Sequence, residues 1–125
     1  MMEKNLFERL GGSEGISSIV DDVVDAHMNN LSISARFLPY QEQSEILATI
    51  KKHTVEFFSA GSGGSVVYTG RDMVTTHKGM NISPAEYMYA IDDIMGVLEE
   101  HKIDEDSKKE VLAILWSLKG MIISK

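Results

Sequence analysis

Apolar residues recur every three or four positions along most of the chain, which is the period of a helix with one buried face. This pattern predicts a short helix that ends at Gly11-Gly12, followed by a longer one that Ser13 caps. A further helix is predicted from Gln43 to Ser59. The expected inward positions of these two long helices are Ile16, Ile19, Val20, Val23, Val24, His27 and Met28, then Ile46, Leu47, Ile50, His53, Thr54, Phe57 and Phe58.

Between and after these helices the sequence breaks the pattern. Pro39 lies in an irregular stretch where one ring of the aromatic pair Phe37 and Tyr40 is expected to turn inward. Four glycines from Gly61 to Gly70 predict a loop. The segment RDMVTTHKGMN has room for one or two helical turns. Two final helices begin at Ser83-Pro84-Ala85-Glu86 and at Asp104. Their expected inward residues are Tyr87, Ala90, Ile91, Ile94, Val97 and Leu98, then Val111, Leu112, Leu115, Trp116, Leu118 and Ile122. We therefore expect one all-α domain over residues 1–125.

Composition narrows the class of protein. The 125 residues include no cysteine, which excludes disulfides, thiolate metal sites and cysteine nucleophiles. The net charge of −7 argues against nucleic acid or an anionic membrane as the main partner. No apolar run approaches the roughly 20 residues that cross a bilayer, and the first twelve residues lack a signal-peptide pattern. A cytoplasmic location is expected.

Four histidines are the candidate nitrogen ligands. His27, on the core face of its helix, is expected to be a packed or partly exposed histidine, and His101 a solvated surface residue. His53 is the titratable group of an otherwise apolar helix face, so it should be neutral and needs a partner. His77 follows the glycine-rich loop and shares a helical face with Met73.

Other chemistries find little support. The sequence has no HExxH motif, no nucleophile elbow and no P-loop lysine after GSGGS. The acidic pairs Asp21-Asp22, Asp92-Asp93 and Glu99-Glu100 are expected to lie on solvated helix faces. Two neutral histidines on different helices, lined by aromatic residues, instead suit a flat aromatic macrocycle such as haem, whose iron takes a histidine ligand. The aromatic residues are Phe37, Phe57 and Phe58.

Four blocks of the sequence resemble a group I truncated haemoglobin of bacterial or cyanobacterial type, in matching order across almost the whole chain. They are LFERLGGSEGISSIVDDVV, SARF, VEFFSAGSGG and YTGRDMVTTHKGMNIS. The resemblance implies a two-over-two helical sandwich, the truncated globin fold, around haem b. It implies that His77 is the proximal iron ligand and that Phe37 packs against haem. The implied pocket also contains Phe57, Phe58, Met73, Ile82 and Tyr87.

The distal side departs from this family. Val24 stands where many members have an oxygen-binding tyrosine, and Thr54 where a glutamine often helps. His53 matches a position that binds iron directly in some cyanobacterial relatives, and it lies on one helical face with Ile50, Thr54 and Phe57. Two alternatives stay open: His53 only donates a hydrogen bond to bound gas, or Lys51 or Lys52 binds the iron.

The resemblance implies a monomer or weak dimer that reversibly binds dioxygen, nitric oxide and carbon monoxide. Nitric oxide dioxygenase-type activity, with a reductase as partner, is one role; a bis-histidyl haem protein for electron transfer or redox or gas sensing is another. A haem-free helical adaptor with a methionine-rich surface is the third class, and the sequence leaves all three open.

Overall fold

Six α-helices make up most of the chain in the computed structural model, which describes residues 4–125. They are α1 Leu6–Arg9, α2 Gly12–Asn29, α3 Ser44–Gly61, α4 Met73–His77, α5 Pro84–Glu100 and α6 Glu105–Ile122. Two short 3₁₀ helices, Ser34–Arg36 and Leu38–Tyr40, form the irregular stretch between α2 and α3. Within residues 4–125 the β-type pairing consists of one isolated bridge between Ile82 and Ile123. The predicted all-α class is confirmed.

Two helix starts follow their sequence signals. The Ser83 hydroxyl accepts the Glu86 N–H, while a Glu86 carboxylate oxygen accepts the Ser83 N–H. This reciprocal pair satisfies two backbone donors that the first turn of α5 leaves unpaired. At α6 the Asp104 carboxylate accepts the Ser107 N–H. Both predicted caps are confirmed.

The predicted cap of α2 is wrong. Ser13 lies inside the first turn, and the cap residue is Gly11, which has a φ of +99°. The corner between α1 and α2 is so tight that a Cβ atom on Gly15 would lie 2.3 Å from the Leu10 carbonyl oxygen. Glycine is suited to such a corner because it reaches positive φ without steric cost.

The helices form two crossed pairs. Helix α2 packs on α3 and on α5, α5 packs on α6, and α4 packs on α6. The core lies where α2 meets α5 and α6, and it includes Ile16, Val20, Ile91, Val97, Leu98 and Val111. This is the predicted two-over-two arrangement. Among the described residues, no helix is both long and apolar enough to cross a membrane.

Two predicted inward residues of α6 point outward. Leu112 is 38% exposed, and Trp116 is 51% exposed. The Lys119 ammonium lies 3.6 Å from the centre of the Trp116 ring, where the electron-rich face of the indole attracts it. Helical period alone cannot separate the edge of a buried face from an exposed face.

An ion pair joins the 3₁₀ segment to α5. The Arg36 guanidinium donates two hydrogen bonds to the Glu86 carboxylate, and both side chains are partly buried. Hydrogen bonding from Arg36, with help from the Ser83 N–H, lowers the pKa of Glu86 from 4.5 to about 2. The negative charge on Glu86 therefore stabilises the fold at neutral pH.

We expect this contribution to be lost in acid. A carboxyl whose pKa is lower in the folded state stabilises fully above its unfolded value of 4.5 and loses its effect as pH falls toward about 2. Glu86→Gln keeps a capping side chain but removes the charge. Its melting temperature should lie below that of the wild type at pH 7, and the gap should narrow between pH 4.5 and pH 2. A gap of constant size in thermal melts across that range would contradict the assignment.

Candidate functional site

His77 ends the short helix α4, whose start is fixed by Asp72 accepting the Thr75 N–H. The Nδ1 atom of His77 lies 2.8 Å from the Met73 carbonyl oxygen, and the imidazole is half-buried. A carbonyl oxygen only accepts, so Nδ1 carries the proton, and a neutral ring then has its lone pair on Nε2. This contact fixes the tautomer of the neutral ring and leaves Nε2 unprotonated, which is the form of an imidazole nitrogen that can bind a metal.

The segment that follows His77 is held by residues 123–125. The Gly79 N–H donates to the Lys125 carbonyl at 2.9 Å, and the Ser124 N–H donates to the Ile82 carbonyl at 2.8 Å. We call residues 79–82 and 123–125 with these bonds the backbone clasp. The clasp and the packing of α4 on α6 together position His77.

Helix α3 carries the second group of predicted site residues. Along its 18 residues Ser59 is the buried one, although the helix is strongly amphipathic. Ile46 and Ile50 are 46% and 37% exposed, and Val74 on α4 is 40% exposed. Ile46 and Ile50 were predicted to point inward. With Val74 they present apolar surface to water, and covering such surface is favourable.

His53 lies on α3 beside the loop that follows this helix. Its side chain is 33% exposed, and Nδ1 lies 3.3 Å from the Glu56 carboxylate. The imidazole meets the Tyr68 ring edge-on at 6.1 Å between ring centres, and Tyr68 also contacts Phe57 in the same way at 5.4 Å. The expectation of a histidine surrounded by apolar groups is therefore wrong, because His53 has a charged partner on its own helix.

Phe37 is placed by a second histidine. The His27 ring stacks on Phe37 with 4.9 Å between ring centres. His27 is buried, as expected, and its Nδ1 lies 2.7 Å from the Asp93 carboxylate, which also accepts from Asn30. Asp93 is thus not on a solvated face as predicted. His101 is likewise partly buried, with Nε2 2.6 Å from the Asp22 carboxylate.

The other residues that were predicted to line the pocket lie at several different places in the fold. Val24 is buried on α2, and Phe58 lines an apolar cavity of about 20 Å³ between α2, α5 and α6. The Tyr87 hydroxyl donates to the Leu115 carbonyl, so this ring faces α6. Ile82 belongs to the backbone clasp. The Thr54 hydroxyl donates to the Ile50 carbonyl at 2.7 Å, which occupies its proton within α3.

Three polar residues of this region were missed. Glu56 contacts His53, Thr69 anchors the loop to Glu56, and Asp93 holds His27. Glu56 stands three residues after His53, a spacing at which helical side chains meet, so the sequence carried a signal for it. The Thr69 and Asp93 contacts join residues far apart in sequence, and no local pattern marks them.

These residues suit haem. His77 offers an unprotonated Nε2, and the exposed apolar faces of α3 and α4 match a flat apolar group. In the part of the chain described, residues 4–125, no three histidine, aspartate or glutamate side chains group together as a metal site. A single protein histidine per side of an iron porphyrin needs no such group.

Comparisons with known proteins agree with this geometry. The sequence model of the bacterial-like globin family matches residues 5–124. The group 1 truncated haemoglobin of Mycolicibacterium paratuberculosis is 23% identical over 114 residues, covering 91% of this chain and 80% of that protein. Two structures of truncated haemoglobins have similar folds. The Tetrahymena pyriformis protein in its Fe(III) form has a TM-score of 0.86 at 19% identity, covering 98% of this chain and 100% of the other.

The group II protein of Bacillus anthracis has a TM-score of 0.84 at 17% identity, covering 100% of this chain and 95% of the other. At these identities the structures show the shared fold, and the family match covers nearly every described residue. Membership of a globin family implies haem and gas binding. The chain belongs to the bacterial-like globin family and has the fold of the truncated haemoglobins.

Proposed function

We propose that the chain binds haem b through Nε2 of His77 and reversibly binds dioxygen, nitric oxide and carbon monoxide. The observation that carries this proposal is the 2.8 Å contact between Nδ1 of His77 and the Met73 carbonyl, because it leaves Nε2 free to bind iron. Haem b supplies the iron that takes the gas, while the protein holds the group and shields it from water.

The distal side lacks the usual hydroxyl donors. Val24 has no polar atom, and the Thr54 hydroxyl proton is bonded to the Ile50 carbonyl. Among these three distal positions His53 alone offers a nitrogen that can donate to a gas or bind iron. We assign His53 as the sixth iron ligand when no gas is present.

The rival lysines are engaged by carboxylates. The Lys51 ammonium lies 3.2 Å from Asp21, and the Lys52 ammonium lies 3.9 Å from Glu56 and is mostly exposed. Each would have to lose a charged partner and a proton before its nitrogen could bind iron. His53 needs neither change when it is neutral.

Nitric oxide detoxification is part of the same proposal. Haem iron, once bound, would supply the one-electron chemistry that converts dioxygen and nitric oxide to nitrate, and a reductase would return the electron. The role of the chain is to keep the reacting gases in a dry apolar pocket. Nitrate production by the ferrous protein with dioxygen and nitric oxide, measured in a single turnover, tests this activity.

A second function, electron transfer or redox or gas sensing, is favoured by one observation. Nδ1 of His53 and Nδ1 of His77 each lie beside an acceptor, so each neutral ring has its lone pair on Nε2, where it can bind a metal. Two strong nitrogen ligands suit an iron that changes its charge without binding a gas. Both functions predict two nitrogen ligands in the gas-free protein, so binding of carbon monoxide separates gas binding from electron transfer.

The decisive measurement is the absorption spectrum after haem is added to the purified chain. We expect a Soret band for the complex and sharp α and β bands in the gas-free ferrous state, the signature of two strong axial ligands. Carbon monoxide should then replace the weaker ligand and shift the Soret band. Absence of a Soret band from the complex would contradict haem binding.

His53→Leu should convert the gas-free ferrous spectrum to that of a five-coordinate iron. Carbon monoxide should bind faster than in the wild type, because no protein ligand has to leave first. Stopped-flow mixing with carbon monoxide measures this rate. Lys52→Met is the matched control on the same helix and should leave the spectrum unchanged. A six-coordinate spectrum that survives His53→Leu would implicate a lysine and refute the assignment.

A further inference from the structure

The Glu56 side chain on α3 contacts three polar groups of the chain. Its carboxylate accepts the Thr69 N–H at 3.1 Å and the Thr69 hydroxyl at 2.7 Å, and it lies 3.3 Å from Nδ1 of His53. The side chain is only 13% exposed. Hydrogen bonds from the Thr69 hydroxyl and N–H lower the pKa of Glu56 to about 2. Glu56 is therefore a carboxylate under physiological conditions.

An ionised carboxylate only accepts hydrogen bonds, which decides the proton position on the neighbouring ring. Nδ1 of His53 must carry a proton to donate to Glu56 at all. When the imidazole is neutral, its lone pair is then on Nε2. Free histidine prefers the opposite tautomer, so the contact reverses the intrinsic preference of the ring.

The surroundings also restrict how the ring is turned. Tyr68 contacts the edge of the His53 imidazole, and its hydroxyl donates to the Arg71 carbonyl at 2.5 Å. Thr69 next to it is tied to Glu56 by two bonds. The loop that follows α3 thus holds His53 from one side, while Glu56 holds it from its own helix.

We propose that Glu56 is the positioning residue of the distal histidine: it fixes the proton on Nδ1 of His53, so that Nε2 faces bound haem as an iron ligand. This inference rests on the proposed function. Carboxylates behind metal-binding histidines fix the tautomer and strengthen the ligand, and their loss costs about 10–100-fold in affinity for the metal. Here the carboxylate also links the ligand to the loop through Thr69.

Three variants separate positioning from support of the loop. Glu56→Ala removes the acceptor for both His53 and Thr69. Glu56→Gln keeps a neutral carbonyl oxygen that both donors can still reach, so it is the conservative rescue. Thr69→Val removes one bond to the loop and leaves Glu56 beside His53. Glu45→Ala, an exposed acid on the same helix, controls for loss of a charge.

The first readout is the tautomer of His53, taken from the ¹⁵N chemical shifts of its ring in the carbon monoxide-saturated ferrous protein. Carbon monoxide frees the distal ring, and this form is diamagnetic. We expect the proton on Nδ1 in the wild type, Glu56→Gln, Thr69→Val and Glu45→Ala. In Glu56→Ala it should move toward Nε2. A proton on Nε2 in the wild type, or no change in Glu56→Ala, would overturn the proposal.

The second readout is the equilibrium between six- and five-coordinate ferrous haem without gas. Glu56→Ala should weaken binding of His53 to iron by about 10–100-fold, Glu56→Gln by less, and Thr69→Val little. Equal losses in Thr69→Val and Glu56→Ala would mean that the loop, not the carboxylate, sets the ligand, and would refute positioning. A five-coordinate wild type would refute iron binding by His53, and a missing Soret band would refute the proposed function itself. The ¹⁵N shifts of the His53 ring report the tautomer whether or not His53 binds iron. They therefore separate a failure of iron binding by His53 from a failure of Glu56 as the positioning residue.

Discussion

His77→Ala is expected to abolish stable haem binding. The substitution removes the Nε2 ligand, and no other histidine stands on α4 or in the backbone clasp to replace it. After haem is added, the wild type should keep its Soret band through gel filtration, whereas the variant should release the group. His77→Gly should recover part of the band in free imidazole, because the small ligand fits the space that the side chain leaves.

A matched control is the histidine at the C-terminal end of α5. His101→Ala also removes a partly buried imidazole with a carboxylate partner, but one at the C-terminal cap of α5 that contacts Asp22 on α2. This variant should keep haem as the wild type does. Haem that stays bound to His77→Ala with an unchanged spectrum would show that another residue is the proximal ligand.

The second large effect expected is a loss of stability when haem is removed. The exposed apolar faces of α3 and α4 then lose their cover, and an apolar surface left in water does not contribute to folding. A ligand at about a thousand times its Kd adds about 4 kcal/mol to the free energy of unfolding. Each kcal/mol moves the melting temperature of a domain of this size by about 3–6 °C.

The haem-free protein should therefore melt on the order of 10 °C or more below the complex and show less helical signal. Circular dichroism melts of both forms measure the difference, and addition of haem should restore the higher value. His77→Ala mixed with haem is the control and should melt like the haem-free wild type. Identical melts of the two wild-type forms would show that these residues form an ordinary core.

Much of the fold could be predicted because its signals are local. The reciprocal cap at Ser83 and Glu86 and the glycines that end α3 act within a few residues. Helical period located the faces of α2 and α5 for the same reason. It failed for Trp116 on α6, because an exposed indole that contacts a neighbouring lysine can have the same helical spacing as a buried side chain.

The site was predictable only in part. The position of His77 after the loop and the resemblance predicted it as the proximal ligand, and the structure adds the Met73 carbonyl contact that leaves its Nε2 unprotonated. The partners of the histidines were not visible, because Asp93 lies 66 positions from His27 and Thr69 lies 13 from Glu56. Such contacts are set by how the helices cross, which a local pattern does not encode. Glu56 was the exception, because its spacing from His53 is that of neighbours on one helix.

The backbone clasp has a consequence for the order of assembly during biosynthesis. Translation delivers the chain from its N-terminus, so α4 and His77 leave the ribosome well before residues 123–125 that hold Gly79 and Ile82. Until those residues arrive, and α6 with them, the short helix lacks its packing on α6 and the segment after it lacks the bonds of the backbone clasp. A five-residue helix is not stable alone. The proposed capture of haem by a native His77 is therefore a late event, which follows synthesis of residues 123–125 rather than of His77 itself.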